Sequence, residues 1–210
     1  MKNLILALTL IAAPAFIVPA SPLAADPFSL LESARTLFPD QPRLEAFKDG
    51  ENPCGMGQNS PPPVGYCATQ LEMYYHEDYV THPNAAYEMA HVMGHFYQIR
   101  YGVADVALRE ISTRRSEEAA LRGMVTRQVD CLAGVLMAHG GLPFQPLESM
   151  FEDEPVTDAH WGRSPLNSGP RVSIGLDARA QWYRTGYTEA DVAACSVGEM
   201  SADLLVAAQR

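Results

Sequence analysis

Hydrophobic and polar positions divide the chain into unequal blocks. Leu4–Val18 is almost wholly apolar, preceded by Lys2 and Asn3 and followed by small residues and prolines through Ala25. The run is shorter than the ~20 residues a membrane-crossing helix needs. Its order of basic start, apolar stretch and small residues is that of a secretory signal peptide over residues 1–25, cleaved after Ala20 or after Ala25. From residue 27 to 50, Leu30, Leu31, Ala34, Leu37 and Phe38 recur at helical spacing until Pro39 and Pro42 interrupt them. Residues 51–65 are a Gly/Pro loop, and the aromatic stretch Tyr66–Tyr79 suits one or two short strands. Asn84 behind Pro83 is a good cap for a helix that Gly102 ends. A second long helix is expected from about Ser116, with Glu117 and Glu118 in its first turn, to Gly140. Five prolines and the acidic run Glu152–Glu154 make residues 142–172 irregular. A short helix follows over about Gly175–Thr185, ended by Gly186, and a last one starts at Thr188 ahead of Asp191. No repeat and no linker interrupts residues 26–210, which read as a single domain.

Composition narrows the function classes. The 210 residues are 47% hydrophobic and carry a formal charge of −10, with a pI near 5.0. That apolar fraction supports a packed core and not a disordered chain. The acidity argues against nucleic acid or an anionic membrane surface as a partner, since both select a cationic face. The signal peptide leads to an expectation of export to the periplasm or the medium, with no membrane attachment once it is removed. Export also puts the four cysteines in an oxidising compartment. Of the three connectivities, Cys54–Cys67 with Cys131–Cys195 is preferred, because the first pair would staple the Gly/Pro loop. A thiol–metal site is the alternative, although no CxxC spacing favours it.

His91 and His95 are one helical turn apart, so both imidazoles leave the same face. Two nitrogens so placed suit zinc; two hydrogen-bonded core histidines give the same spacing. The surroundings decide between these readings. Asn84–Gln98 reads NAAYEMAHVMGHFYQ, Gln128–Met137 reads QVDCLAGVLM, and Arg179–Tyr187 reads RAQWYRTGY ahead of Ala193-Ala194-Cys195, with Tyr66-Cys67 upstream. In that order the chain resembles the neutral zinc metallopeptidase family, over about residues 50–196. The family's first helix reads A-Y-x-x-A-H-E-x-G-H and its second E-L-Q-A-D-C-x-A-G-V. The resemblance implies an α+β, helix-dominated, zincin-like fold in which a small sheet edge packs on two long helices. The four cysteines resemble the family's own, which favours disulfides over catalytic thiols.

Two departures from the pattern concern one centre. The Glu that follows the first His of HExxH acts as general base toward metal-bound water, and here that position is Val92. The Glu that the resemblance implies as third zinc ligand is Thr126. Asp130 survives as an expected hydrogen-bond partner behind a ligating histidine. Glu88, three residues before His91, shares the stripe of His91 and His95; it is either a substitute metal ligand or a glutamate favoured by the helix dipole. His76, His82, His139 and His160 carry weaker signals. The expectation is an exported pseudo-peptidase with no catalytic residue, weak or absent zinc at His91, His95 and Glu88, and a former substrate groove open to a peptide or protein. The alternatives are a metal-dependent hydrolase using Glu88 or Asp130, and a metal-binding protein without catalysis.

Overall fold

The structure is a computed structural model that describes residues 27–54, 61–67, 70–155, 159–164 and 167–209. The expected signal segment lies outside the described residues. Helix α1 (Pro27–Ala34) stops before Pro39, and the chain re-enters as a strand, β1 (Arg43–Phe47). This corrects the helical reading of 27–50: the prolines end the helix, and β1 is created by parallel pairing with a later segment. Strands β2 (Val64–Cys67) and β3 (Glu72–His76) form an antiparallel pair inside the stretch expected to be extended. The sheet order is β1-β3-β2, which puts β3 in the middle and leaves β2 at the edge facing helix α2 (Ala85–Arg100), where Tyr66 meets Phe96 edge-on at 5.7 Å.

Asn84 sits at the expected start of α2 without capping it. Its amide donates to the Met150 carbonyl instead. Gly102, at φ +83°, reverses the chain directly into α3 (Val103–Thr113), a helix the sequence reading did not place. Its Ala107 and Ile111 pack on Leu121, Val125 and Met200. The long α4 (Glu118–His139) follows a 3₁₀ turn over Arg115–Glu117, which begins the helical stretch close to the expected start at about Ser116. Within the expected irregular stretch lie a short α5 (Leu147–Met150) and an antiparallel hairpin of β4 (Ala159–Ser164) and β5 (Asn167–Arg171). The side chain of His160 in β4 lies outside the described residues. Helix α6 (Leu176–Glu189) runs straight through Gly186 and Thr188, correcting both boundaries drawn there. Asp191 caps only a 3₁₀ turn over Val192–Cys195, accepting the Ala193 amide at 2.9 Å, and the last helix is α7 (Asp203–Ala208). The architecture is α+β and helix-dominated.

Helix α4 is the axis of the core. It is buried along most of its length, from Leu121 to Met137, with α2 on one side and α6 on another. Glycines set its distance from α6. A Cβ at Gly134 would fall on the Tyr183 carbonyl, and one at Gly186 on the Cys131 carbonyl, so the two backbones touch where any side chain would part them. That contact is why Gly186 does not act as a helix stop. Cys131 pairs with Cys195 beside it, and Cys54 pairs with Cys67 near Phe47 and Tyr74, the connectivity preferred from the sequence. Gln128 locks the C-terminal segment onto α4: its amide nitrogen faces the carbonyls of Cys195, Met200 and Ser201 at 3.2, 3.4 and 3.3 Å. Its carbonyl oxygen in turn accepts from Gln98 of α2 at 3.0 Å. Among the described residues, no helix is long and apolar enough to cross a membrane.

Candidate functional site

The crossing of α2, α4 and α6 brings His91, Asp130 and Arg179 together in the interior. Their relative exposures are 1%, 0% and 1%, so each charge must be balanced by protein groups. His91 Nδ1 lies 2.9 Å from Asp130 Oδ1, and the Tyr87 hydroxyl donates to the same oxygen at 3.0 Å. Arg179 Nη1 reaches both carboxylate oxygens at 3.3 Å. An ionised carboxylate only accepts, so His91 meets it as a donor through Nδ1. The ring of His95 meets that of His91 edge-on, with centroids 5.0 Å apart.

Behind Arg179 stands Glu154. Arg179 Nε donates to Glu154 Oε1 at 2.8 Å, the Ile174 amide donates to the same oxygen at 2.9 Å, and the Ser173 hydroxyl donates to Oε2. Burial opposes ionisation of Glu154, but Ser173, the Ile174 amide, Arg179 and the Gly175 amide outweigh it and lower the pKa to about 2. Burial likewise works against the charge of Arg179. Asp130, Tyr87 and Glu154 more than offset this and leave its pKa raised. Desolvation, followed by the neighbouring Asp130 charge, raises Tyr87 well above the ordinary phenol range and fixes it as a hydroxyl donor. The result is one chain of alternating charge, Glu154–Arg179–Asp130, ending on His91.

The remaining candidates are placed as follows. Val92 is buried at 6% exposure and presents only methyl groups. Thr126 is fully buried, and its hydroxyl donates to the Arg122 carbonyl one turn back at 3.1 Å. Glu88, half-buried, takes a hydrogen bond from the Tyr79 hydroxyl, whose pKa burial and that carboxylate both raise. Asp130, with its lone pairs already directed at Tyr87, His91 and Arg179, has the environment of a hydrogen-bond anchor and not of a metal ligand.

Among the described residues, the donors that meet at this crossing fall short of a zinc ligand set. Catalytic zinc takes three protein ligands and structural zinc takes four, whereas two imidazoles are the nitrogen donors brought together here. Among the described residues, no group of three or more His, Cys, Asp or Glu side chains is arranged to hold a metal ion.

No local sequence signal marks Tyr87, Arg179 or Glu154 as a site residue. Tyr87 and Arg179 lie inside the runs that carry the resemblance, and Glu154 closes the acidic run. Their burial depends on contacts dozens of residues away. Compared with known protein families, curated proteins and solved structures, the chain matches none of them.

Proposed function

We propose that this is an exported, peptidase-derived protein of zincin-like architecture that does not hydrolyse peptide bonds and that offers its sheet-and-helix groove to an extended peptide or protein segment. Val92 carries this reading. Valine neither accepts a proton nor orients a water, and a positioned acid/base group contributes about 10²–10⁴-fold to rate. Thr126, turned back on its own helix, supports it, since a hydroxyl engaged with Arg122 is a poor replacement for a carboxylate ligand. For binding, the supporting feature is β2, an edge strand beside α2, because a strand edge offers backbone donors and acceptors to an added strand.

The test is a sensitive peptidase assay on purified protein, with zinc added, beside the same assay on His91→Ala. No turnover above background is expected from either. Metal-dependent cleavage that disappears in His91→Ala overturns the proposal. A companion variant, Val92→Glu with Thr126→Glu, restores the residues of the family pattern. It is expected to bind zinc more tightly than the wild type by calorimetry, and unchanged affinity would count against descent from a zinc site.

A further inference from the structure

The segment between the sheet and α2 is held in an unusual way. Residues Glu77–Thr81 form a 3₁₀ turn, bounded by His76 on one side and His82 on the other. Each imidazole accepts, at Nδ1, the backbone amide two residues on: Asp78 N to His76 at 3.3 Å, and Asn84 N to His82 at 3.2 Å. This is the bond that an Asn or Asp side chain makes in an Asx turn, but made by a group that titrates. A neutral imidazole has one lone-pair nitrogen, and a protonated one has none. Protonation therefore replaces each acceptor with a donor that faces a backbone N–H.

The groups around each ring are consistent with that use. His76 Nε2 faces Asp49 Oδ1 at 3.3 Å, the ring meets Phe47 edge-on, and Glu77 and Asp78 follow directly in sequence. Lys48, the nearby cation, pairs with Glu77 at 3.5 Å. His82 lies flat on Tyr79, with ring centroids 4.7 Å apart. Tyr79 is also the residue whose hydroxyl bonds Glu88 on α2. His76 thus caps the start of the turn, His82 holds the chain between the end of the turn and α2, and Tyr79 within the turn bonds Glu88.

We propose that residues 76–84 form an acid-released strap, latched by the neutral imidazoles of His76 and His82, and that protonating both rings loosens the turn and withdraws Tyr79 from Glu88. Imidazoles as a class change charge between about pH 5 and pH 8. The strap does not depend on whether the protein hydrolyses, binds or ignores peptides.

Nuclear magnetic resonance on the intact protein tests it. The ring ¹⁵N shifts of His76 and His82 should show Nδ1 unprotonated at pH 8. Between pH 8 and pH 5 the Asp78 and Asn84 amides, corrected for intrinsic exchange, should exchange about five-fold faster, as expected for loss of an acceptor bond, while α4 amides stay unchanged. His76→Asn with His82→Asn keeps a side-chain acceptor that does not titrate, and is expected to make both amides insensitive to pH. Protonated Nδ1 in either ring at pH 8, unchanged exchange at pH 5, or a pH dependence that survives in the double variant each overturns the proposal. If the double variant fails to fold, the wild-type ring shifts and exchange rates decide alone.

Discussion

Arg179 Nη1 sits 3.3 Å from both carboxylate oxygens of Asp130, and neither side chain is more than 1% exposed. Such a buried pair contributes little net energy when intact, because desolvation offsets most of the attraction, but removing one partner strands the other. Asp130→Asn is therefore expected to lower stability by about 3 kcal/mol, at the low end for a broken buried pair because Glu154 still holds Arg179. Urea denaturation should show a lower midpoint with an unchanged slope. A loss below about 0.5 kcal/mol would mean that water reaches the site.

Two neighbouring tyrosines should behave oppositely. Tyr87 gives its hydroxyl to Asp130 at 3.0 Å, whereas the Tyr183 hydroxyl is buried with no protein partner among the described residues. The rings meet edge-on at 5.3 Å, so their packing is comparable. Tyr87→Phe removes a charge-assisted bond and is expected to cost about 1.5–3 kcal/mol. Tyr183→Phe should be neutral or slightly stabilising, since it removes a polar atom that folding desolvates without return. Paired thermal melts that destabilise the two variants equally would contradict this.

Acid stability should carry the signature of Glu154. Its folded-state pKa is lowered from 4.5 to about 2, so its contribution is fully present above about 4.5 and is lost as pH falls toward 2. That contribution is on the order of 3 kcal/mol. Glu154→Gln is expected to be less stable than the wild type at neutral pH and to lose less stability between pH 4.5 and pH 2. Parallel stability curves across that window would place the carboxylate in water.

The two disulfides differ in what they close. Cys131–Cys195 spans 64 residues and Cys54–Cys67 spans 13, so loop entropy assigns them about 4 and about 3 kcal/mol. Cys131 is also fully buried against the α4–α6 contact. Replacing Cys131 and Cys195 with Ala should lower the melting temperature more than replacing Cys54 and Cys67. The reverse order would locate the decisive restraint in the sheet.

The readable parts of the fold were those encoded locally. Helices α2 and α4 were marked by their bounding residues, Pro83-Asn84 and Gly102 for the first and Glu117, Glu118 and Gly140 for the second, and β2 and β3 by clustered aromatic residues. Strand β1 did not, because Leu44, Glu45 and Ala46 are good helix formers and become extended only by pairing with β3. The same division holds at the site. His91, His95 and Asp130 were picked out by spacing within motifs. Arg179 lies in a polar-looking run and Glu154 beside two exposed acids, Glu152 and Asp153. Only tertiary packing turns that one carboxylate inward, and no periodicity records it. Gly186 misled for a related reason: a glycine that admits a neighbouring backbone looks the same in sequence as one that ends a helix.

The Gln128 carboxamide, with its nitrogen turned to the Cys195, Met200 and Ser201 carbonyls, makes the tail a brace and not a trailing end. An exopeptidase working inward through α7 should stall near Ser201, and a tag appended after Arg210 should leave the interior undisturbed. Deleting the segment from Val197 onward would instead leave that amide with two fewer acceptors at the heart of the helix bundle, so the damage would surface far from the cut.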